Sequence, residues 1–429
     1  MEGQRFLIKG QMYTSHDAAL QEALARIYDT PDRARCMCAR GGIDMYVAKH
    51  RLYVLKRMPG TGAQHHATCP SYEPEYGQSG LGQLMGQSII ERSPDCVELR
   101  VDFPLARAPG RAIARSPPQG LAEISATRHR MSLRAVMHFL FERAGFNRWT
   151  PAMEGKRTQA VLHRYLLEAA EGVETKGVRL FERLYVPEQF REERKTVIAE
   201  RRRGRLAILQ APEDDLQFKM ALVIGEYKGE ESSPFSRKIW LRHMPDAPLF
   251  IDARAWERLR RAFGGLFEAL DADTKTKQRI VMCALIYAKR EHVYQIDAAS
   301  GMLTTENWIP LEGVHEADFI QALTEQRRRF VKPLRYDARS AAPFPNALLL
   351  DTGVSPTPLH VVSALMDPRD RSAKEKAIKA HGTHIWVWHT DRPMPPLPEA
   401  TTQRTVPEAA VRIPQAFGLP RTHQQHGSG

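Results

Sequence analysis

Apolar positions along the chain alternate between two periods, and each period predicts its own kind of element. Near the start, Arg5-Phe6-Leu7-Ile8-Lys9 reads as a strand, and Ala18, Leu20, Ala23, Leu24 and Ile27 share one helical face. Asp29-Thr30-Pro31-Asp32 breaks that helix. Met45-Tyr46-Val47-Ala48 and Leu52-Tyr53-Val54-Leu55 read as the strands of a hairpin, followed by a tight turn at Pro59-Gly60-Thr61-Gly62. In the middle the period becomes helical. Leu133, Val136, Met137, Leu140 and Phe141 mark one amphipathic helix, and Leu162, Tyr165, Leu166, Ala169 and Ala170 a second. Gly145 to Pro151 forms the turn between them. After about residue 206, short apolar runs predict strands at Ala221–Ile224, Lys238–Leu241, Ile280–Ile286, Ala347–Leu350 and Ile385–Trp388. Trp256, Leu259, Phe263, Leu266 and Leu270 predict an intervening helix.

The expectation is an α+β multidomain chain. It has an N-terminal β-hairpin module over 1–103, a helical domain over 122–205 and a mixed α/β domain over 206–390. Pro- and Gly-rich residues 104–120 read as a linker, and 391–429, rich in Pro, Thr, Gln and His, as a disordered tail. No repeats are visible.

Charge adds a partner to this picture. The 429 residues carry a net charge of +12, which favours a polyanion such as DNA or RNA. Residues 122–205 hold 18 Lys and Arg against 11 Asp and Glu. Arg128, Arg130, Arg134, Arg148, Lys156, Arg157 and Arg164 would then face phosphates in a helix-turn-helix arrangement, with Trp149 as a stacking group. The competing expectation is an ordinary solvated helix face with Trp149 in the core. No apolar run is long enough to cross a membrane, and the first ten residues lack the apolar core of a signal peptide. Five cysteines in so long a chain suit a reducing compartment, so a cytoplasmic location is expected.

Three of those cysteines carry the sharpest chemistry. Cys36, Cys38 and Cys69 fall in one 34-residue window that also contains His65 and His66. Thiolate and imidazole are the donors that tetrahedral zinc prefers. Three Cys and one His make a closed set with no open position, so the expected role is a structural zinc in a zinc-ribbon-like module. The spacing does not choose between His65 and His66.

Two further patterns suggest hydrolytic chemistry. Glu226 and Lys228 follow an apolar strand, and alternate strand residues share a face. Such a pair can hold Mg²⁺ and polarise a water in nucleases. A second acid is needed upstream, where only Glu213, Asp214 and Asp215 stand. Near the C-terminus, the order strand, strand, helix with Lys374, Lys376 and Lys379, strand resembles a restriction-endonuclease-like layout. There, however, the two metal-ligand positions read Asn346 and His360, which argues against activity by that route.

Lys56-Arg57-Met58-Pro59-Gly60-Thr61-Gly62, His66 and Cys69-Pro70-Ser71-Tyr72-Glu73, with Phe330-Val331-Lys332-Pro333-Leu334-Arg335-Tyr336, resemble an uncharacterised bacterial family catalogued as domain of unknown function 1173. The resemblance covers most of residues 1–390. It implies a mobile-element setting and carries no catalytic residue across. The leading expectation is a nucleic-acid-binding protein with structural zinc. The alternatives are a metal-dependent nuclease using Mg²⁺, or an inactive relative of one, and a non-enzymatic protein-interaction factor.

Overall fold

The computed structural model describes residues 4–49, 52–93, 96–107, 130–210, 217–233, 235–271, 276–382 and 384–401. The chain is mixed α and β. It opens with β1 (Arg5–Ile8), β2 (Gln11–Thr14), α1 (Leu20–Ile27), β3 (Ala34–Cys36), β4 (Ile43–Lys49) and β5 (Tyr53–Arg57). The five strands form one antiparallel sheet in the order β2-β1-β3-β4-β5. Leu20, Ala23, Leu24 and Ile27 bury the apolar stripe of α1.

Next come β6 (Ile89–Ser93), β7 (Cys96–Leu99), β8 (Ala106–Arg107), α2 (Leu133–Arg143), β9 (Arg148–Trp149), α3 (Gln159–Ala170), β10 (Val173–Thr175), β11 (Val178–Arg179), β12 (Leu184–Tyr185) and α4 (Lys195–Leu206). Helix α2 is capped by the Ser132 hydroxyl, which accepts from the Ala135 amide. It is buried on nearly every side, from Leu133 and Ala135 to Phe141. A helix surrounded in this way cannot lie in a DNA groove, and 15 residues (144–158) separate it from α3. The expected helix-turn-helix is therefore not what these helices form. The expected linker falls largely on residues outside the described set.

The third part contains β13 (Phe218–Lys219), β14 (Ala221–Ser232), β15 (Ser236–Leu241), β16 (Leu249–Asp252), α5 (Ala253–Ala262), α6 (Gly264–Asp271), β17 (Gln278–Arg290), β18 (Val293–Thr305) and β19 (Pro310–Leu311). Strand β14 pairs with β15 along its second half and with β17 along its first. β15 pairs with β16, β16 runs parallel to β18, and β18 pairs with β17. These pairings close a five-stranded barrel, β14-β15-β16-β18-β17 and back to β14. The bulge at Tyr227–Gly229 is where β14 passes from one neighbour to the other. Along β17, Ile280, Met282, Ala284 and Ile286 belong to one core, and Val281, Cys283, Leu285 and Tyr287 to another shared with α2 and α3. Burial of both faces explains the continuous apolar run at this strand.

The chain closes with α7 (Ala317–Glu325), β20 (Phe330–Val331), β21 (Ala347–Leu349), β22 (Thr357–Val362), α8 (Pro368–Ala380) and β23 (Trp386–His389). Here β20, β21 and β22 run antiparallel, β22 and β23 run parallel, and β9 joins the far edge. A third core unites both ends of the chain. Phe6, Leu24, Ala67, Cys69 and Tyr72 pack with Val331, Leu348 and Leu350. Residues 391–401, expected as the start of a disordered tail, instead lie on the fold. The Pro396 and Pro398 carbonyls accept from Trp386 Nε1 at 2.9 Å and Arg328 Nη1 at 2.6 Å. Residues 402–429 lie outside the described set. Among the described residues, no helix is long and apolar enough to cross a membrane.

Candidate functional site

Two turns of the N-terminal sheet meet at the thiols. Cys36 ends β3, and Gly41 and Gly42, both at positive φ, let the chain reverse into β4. A side chain at Gly42 would strike Met37 Sδ at 2.9 Å. On the other side, residues 62–73 form a closed loop. The Glu73 amide donates to the Gly62 carbonyl at 3.1 Å, and Arg57 pairs with Glu73 across the mouth. Gly62 has room for hydrogen alone, because a Cβ there would lie 2.6 Å from Glu73 Cβ. That close approach aims His65 and Cys69 back at β3.

The result is a tight donor set. Single ligand atoms of Cys36, Cys38, His65 and Cys69 all lie within 4.8 Å of one another. Cys36 Sγ and Cys69 Sγ are 3.8 Å apart. His65 Nδ1 is 3.2 Å from Cys38 Sγ and 3.7 Å from Cys69 Sγ. A tetrahedral zinc with ordinary bond lengths needs edges of ~3.8 Å between sulfurs and ~3.6 Å between sulfur and nitrogen. The observed separations bracket those edges, so the cluster can hold a metal ion of zinc's size and preference. His66 points elsewhere, with its Nδ1 2.9 Å from the Thr68 hydroxyl. Of the two adjacent histidines, His65 belongs to the cluster.

Electrostatics agree with the donor chemistry. Hydrogen bonding from the Cys38 and Cys69 thiols pulls the Cys36 thiol far below its usual value. The same contact pushes Cys38 up to about 11 and Cys69 further still. Three crowded thiols cannot all ionise unless a cation sits among them. Outside the donors, Gln4 Nε2 lies 3.2 Å from Cys36 Sγ, and the Ser71 amide donates to Cys69 Sγ at 3.4 Å. Three of the four donors, Cys36, His65 and Cys69, are buried and Cys38 is half-buried, as a closed structural site requires.

The comparisons with known proteins bear on this same region. A model of the family described as Protein of unknown function (DUF1173) matches residues 6–391. The chain belongs to this family. No curated protein and no solved structure matches it. The blocks through which the chain resembles DUF1173 are distant in sequence but neighbours in space. Cys69 and Tyr72 share a core with Val331, and Arg148, the cross-strand partner of Val331, donates to the Tyr72 carbonyl.

In this DUF1173 chain the basic residues expected to face phosphates fall into two groups. Arg130 and Lys156 are exposed. Arg134, Arg148 and Arg157 are instead spent inside the molecule. Arg134 Nε donates to the Tyr336 carbonyl at 2.7 Å. Arg157 is 7% exposed and reaches the Phe146, Asn307 and Gly145 carbonyls at 2.9, 3.2 and 3.0 Å. Burial lowers its pKa to about 9, and its guanidinium lies over the Phe146 and Trp149 rings. Trp149 itself is buried. Arg164 pairs with Glu168 at 2.9 Å on α3. Arg128 lies outside the described residues.

Glu226 and Lys228 do not share a face. The β-bulge between Tyr227 and Gly229 breaks the two-residue period, leaving Glu226 buried and Lys228 exposed. Glu226 is also fully engaged. Arg242 Nε reaches one carboxylate oxygen at 2.6 Å and Arg279 Nη1 the other at 2.9 Å. Two guanidiniums against one carboxylate oppose binding of a divalent cation there. Glu213, Asp214 and Asp215 lie outside the described residues.

At the C-terminal layout the structure assembles a buried polar cluster that the sequence did not foretell. Glu316 precedes α7 and pairs with Lys332 at 2.8 Å, both side chains being 1% exposed. Asn346 donates to Glu316 Oε1 at 2.5 Å, and Lys374 donates to Asn346 Oδ1 and to the Phe344 carbonyl, each at 2.7 Å. Burial brings Lys374 down to about 7 and His360 to about 3, the latter helped by the Lys374 and His381 charges. One carboxylate among two lysines is not a magnesium site. The signal that could have revealed the pairing is thin: a lysine at Lys332 inside an apolar strand context.

Proposed function

We propose that this protein binds nucleic acid and that its N-terminal module is held by a structural zinc. The zinc half is supported by the tetrahedral edges between Cys36, Cys38, His65 and Cys69. The observation that carries the nucleic-acid half is the closed barrel β14-β15-β16-β18-β17. Five-stranded Greek-key barrels of this kind bind oligonucleotides or oligosaccharides on the faces of their second and third strands and on adjoining loops. That support is an analogy of architecture, and the net charge of +12 selects the polyanion from the pair. Helix α4 and its lead-in strengthen it. Residues 191–206 contain seven Lys and Arg against three Glu, with Arg191, Arg194 and Arg203 exposed.

A metal-dependent nuclease is the weaker reading. The order α7, β20, β21, β22, α8, β23 supports a restriction-endonuclease-like layout, but Asn346, His360 and the Glu316–Lys332 pair occupy the ground where acids would be needed. This reading includes a bacterial mobile-element setting, which the sequence resemblance implies. The test is equilibrium binding of the full chain to labelled DNA and RNA across a salt series. Affinity should fall steeply as salt rises. Absence of binding at low salt would remove the reading.

A further inference from the structure

Among the described residues, the outer face of the β15–β16 corner of the barrel is left partly open to solvent. Ile239, Leu241, Leu249 and Ile251 point inward and are buried, so Lys238, Trp240 and Phe250 point outward, and all three are half-exposed. Lys238 and Phe250 are direct cross-strand partners. Trp240 faces Gly229 across the ladder, and at Gly229 even a Cβ would meet nothing within 4 Å. The indole therefore has no cross-strand side chain against it. With Lys228 it lines a shallow groove. At the tip of the same hairpin, Phe235 is 88% exposed. Its carbonyl accepts from the Ala253 amide at 3.4 Å, which brings the exposed Arg254 at the start of α5 beside the tip.

Among the described residues, Phe235, Trp240 and Phe250 make no aromatic or cation–π contact with one another or with any other ring, whereas Tyr227 of β14, Trp256 of α5 and Phe267 of α6 pack ring against ring. Phe235 stands at the tip, before the first residue of β15, and so flanks the outward row of Lys238 and Trp240 instead of lying in it. Two exposed cations, Lys228 and Arg254, stand beside the rings. The hairpin's own acids are neutralised in place, Glu231 by Lys238 at 3.0 Å and Glu230 by Arg260 at 2.9 Å. Asp252 is occupied in capping α5, accepting from the Ala255 amide at 2.9 Å.

We infer that this face is a binding platform for a single-stranded polynucleotide, with bases stacking on Trp240 and Phe250, and on Phe235 at the adjoining hairpin tip, and phosphates meeting Lys228 and Arg254. This rests on the nucleic-acid reading above and narrows it to unpaired strands. Duplex DNA hides the faces of its bases, whereas a single strand offers them to separated rings. A protein partner fits less well, because stable interfaces deplete lysine from their centres and need about 800 Å² per partner.

The test uses the full chain with labelled oligothymidylate, oligouridylate, a duplex of the same length and a neutral glucan. Both single strands should bind more tightly than the duplex, and the ratio of the two reports any preference for DNA or RNA. Phe235→Ala should weaken single-strand binding about tenfold, in the range that loss of one base–aromatic stack produces. Trp240→Phe should abolish most of the tryptophan quenching on binding. Lys228→Ala/Arg254→Ala should flatten the slope of log affinity against log salt by about 1.4, at ~0.7 per phosphate contact on single strands. Unchanged thermal unfolding keeps these variants interpretable. If the chain binds oligonucleotides but all three variants match wild type, or the duplex binds as well as the single strands, this platform is wrong and the broader reading stands. If it binds the glucan alone, or nothing, both fall.

Discussion

Cys36 Sγ lies 3.8 Å from Cys69 Sγ although 33 residues separate them in the chain. Two uncharged thiols gain little from such closeness, but two zinc ligands require it. Purified protein should therefore contain about one equivalent of zinc, as a single four-ligand site implies. Cys69→Ser and His65→Ala should lose it, and His66→Ala should keep it. Elemental analysis decides this; retention of metal by His65→Ala would reassign the fourth ligand. Chelation should also lower the unfolding free energy, by about 3 kcal/mol if zinc had been at a hundredfold excess over its dissociation constant.

Lys332 and Glu316 form an ion pair with almost no access to water. Removing one member strands the other charge, so Lys332→Met should cost about 3–5 kcal/mol in urea unfolding. Lys332→Met/Glu316→Gln should recover part of that loss, since Asn346 and the Glu312 amide still find an oxygen at residue 316. A double variant as unstable as the single one would mean that the pair's charges are not the reason.

Arg157 satisfies several main-chain carbonyls in the turn before α3 and the loop after β18. Arg157→Met should destabilise on the order of 3 kcal/mol by leaving them buried without donors. Lysine lacks the planar fork, so Arg157→Lys should restore less than half. Equal stability of the lysine variant and wild type, measured by thermal unfolding, would count against this role.

His360 is fully buried, and burial, with the Lys374 and His381 charges, lowers its pKa to about 3. Unfolded, it titrates near 6.5. Between those values the unfolded chain binds the extra proton, so this group's contribution falls as pH drops from 6.5 toward 3. His360→Leu should flatten that limb of the stability–pH curve. Parallel curves for the two proteins would refute it.

Glu226→Gln should destabilise the barrel, because Arg242 and Arg279 would lose their shared charge partner. Lys228→Ala should leave stability within about 0.5 kcal/mol, as an exposed residue does. Unfolding midpoints separate the two, and equal losses would mean that they act together after all.

Some of this was legible in the residues alone. Cys36, Cys38 and Cys69 announce a metal by their type, and the hairpin between them follows from alternating apolar positions. The choice of His65 was not legible, since adjacent histidines differ only in how the loop closed by Gly62 and Glu73 turns them. Arg134 and Arg157 were misplaced because a positive charge in a sequence does not say whether carbonyls or water will receive it. The two-residue rule that joined Glu226 to Lys228 failed at one inserted residue, a bulge needed where β14 changes partners. The barrel was hidden for a related reason. Its closure depends on pairings such as Glu226 with Val281, and the apolar run of β17 is buried on both sides. The restriction-endonuclease-like layout near the C-terminus was visible as an order of elements, while the buried Glu316–Lys332 contact joins the residue before α7 to the residue after β20.

The core that joins Ala67, Cys69 and Tyr72 to Val331, Leu348 and Leu350 has a consequence for biogenesis. A ribosome moving at about 5–20 residues per second takes roughly 15–55 s to travel from Cys69 to Leu350. The four candidate ligands are all made by the start of that interval, and the surface that covers them only at its end. During synthesis the loop that carries His65 and Cys69 must wait with its apolar side bare, so release of a truncated chain before residue 350 leaves a product with the donor cluster and an adhesive face.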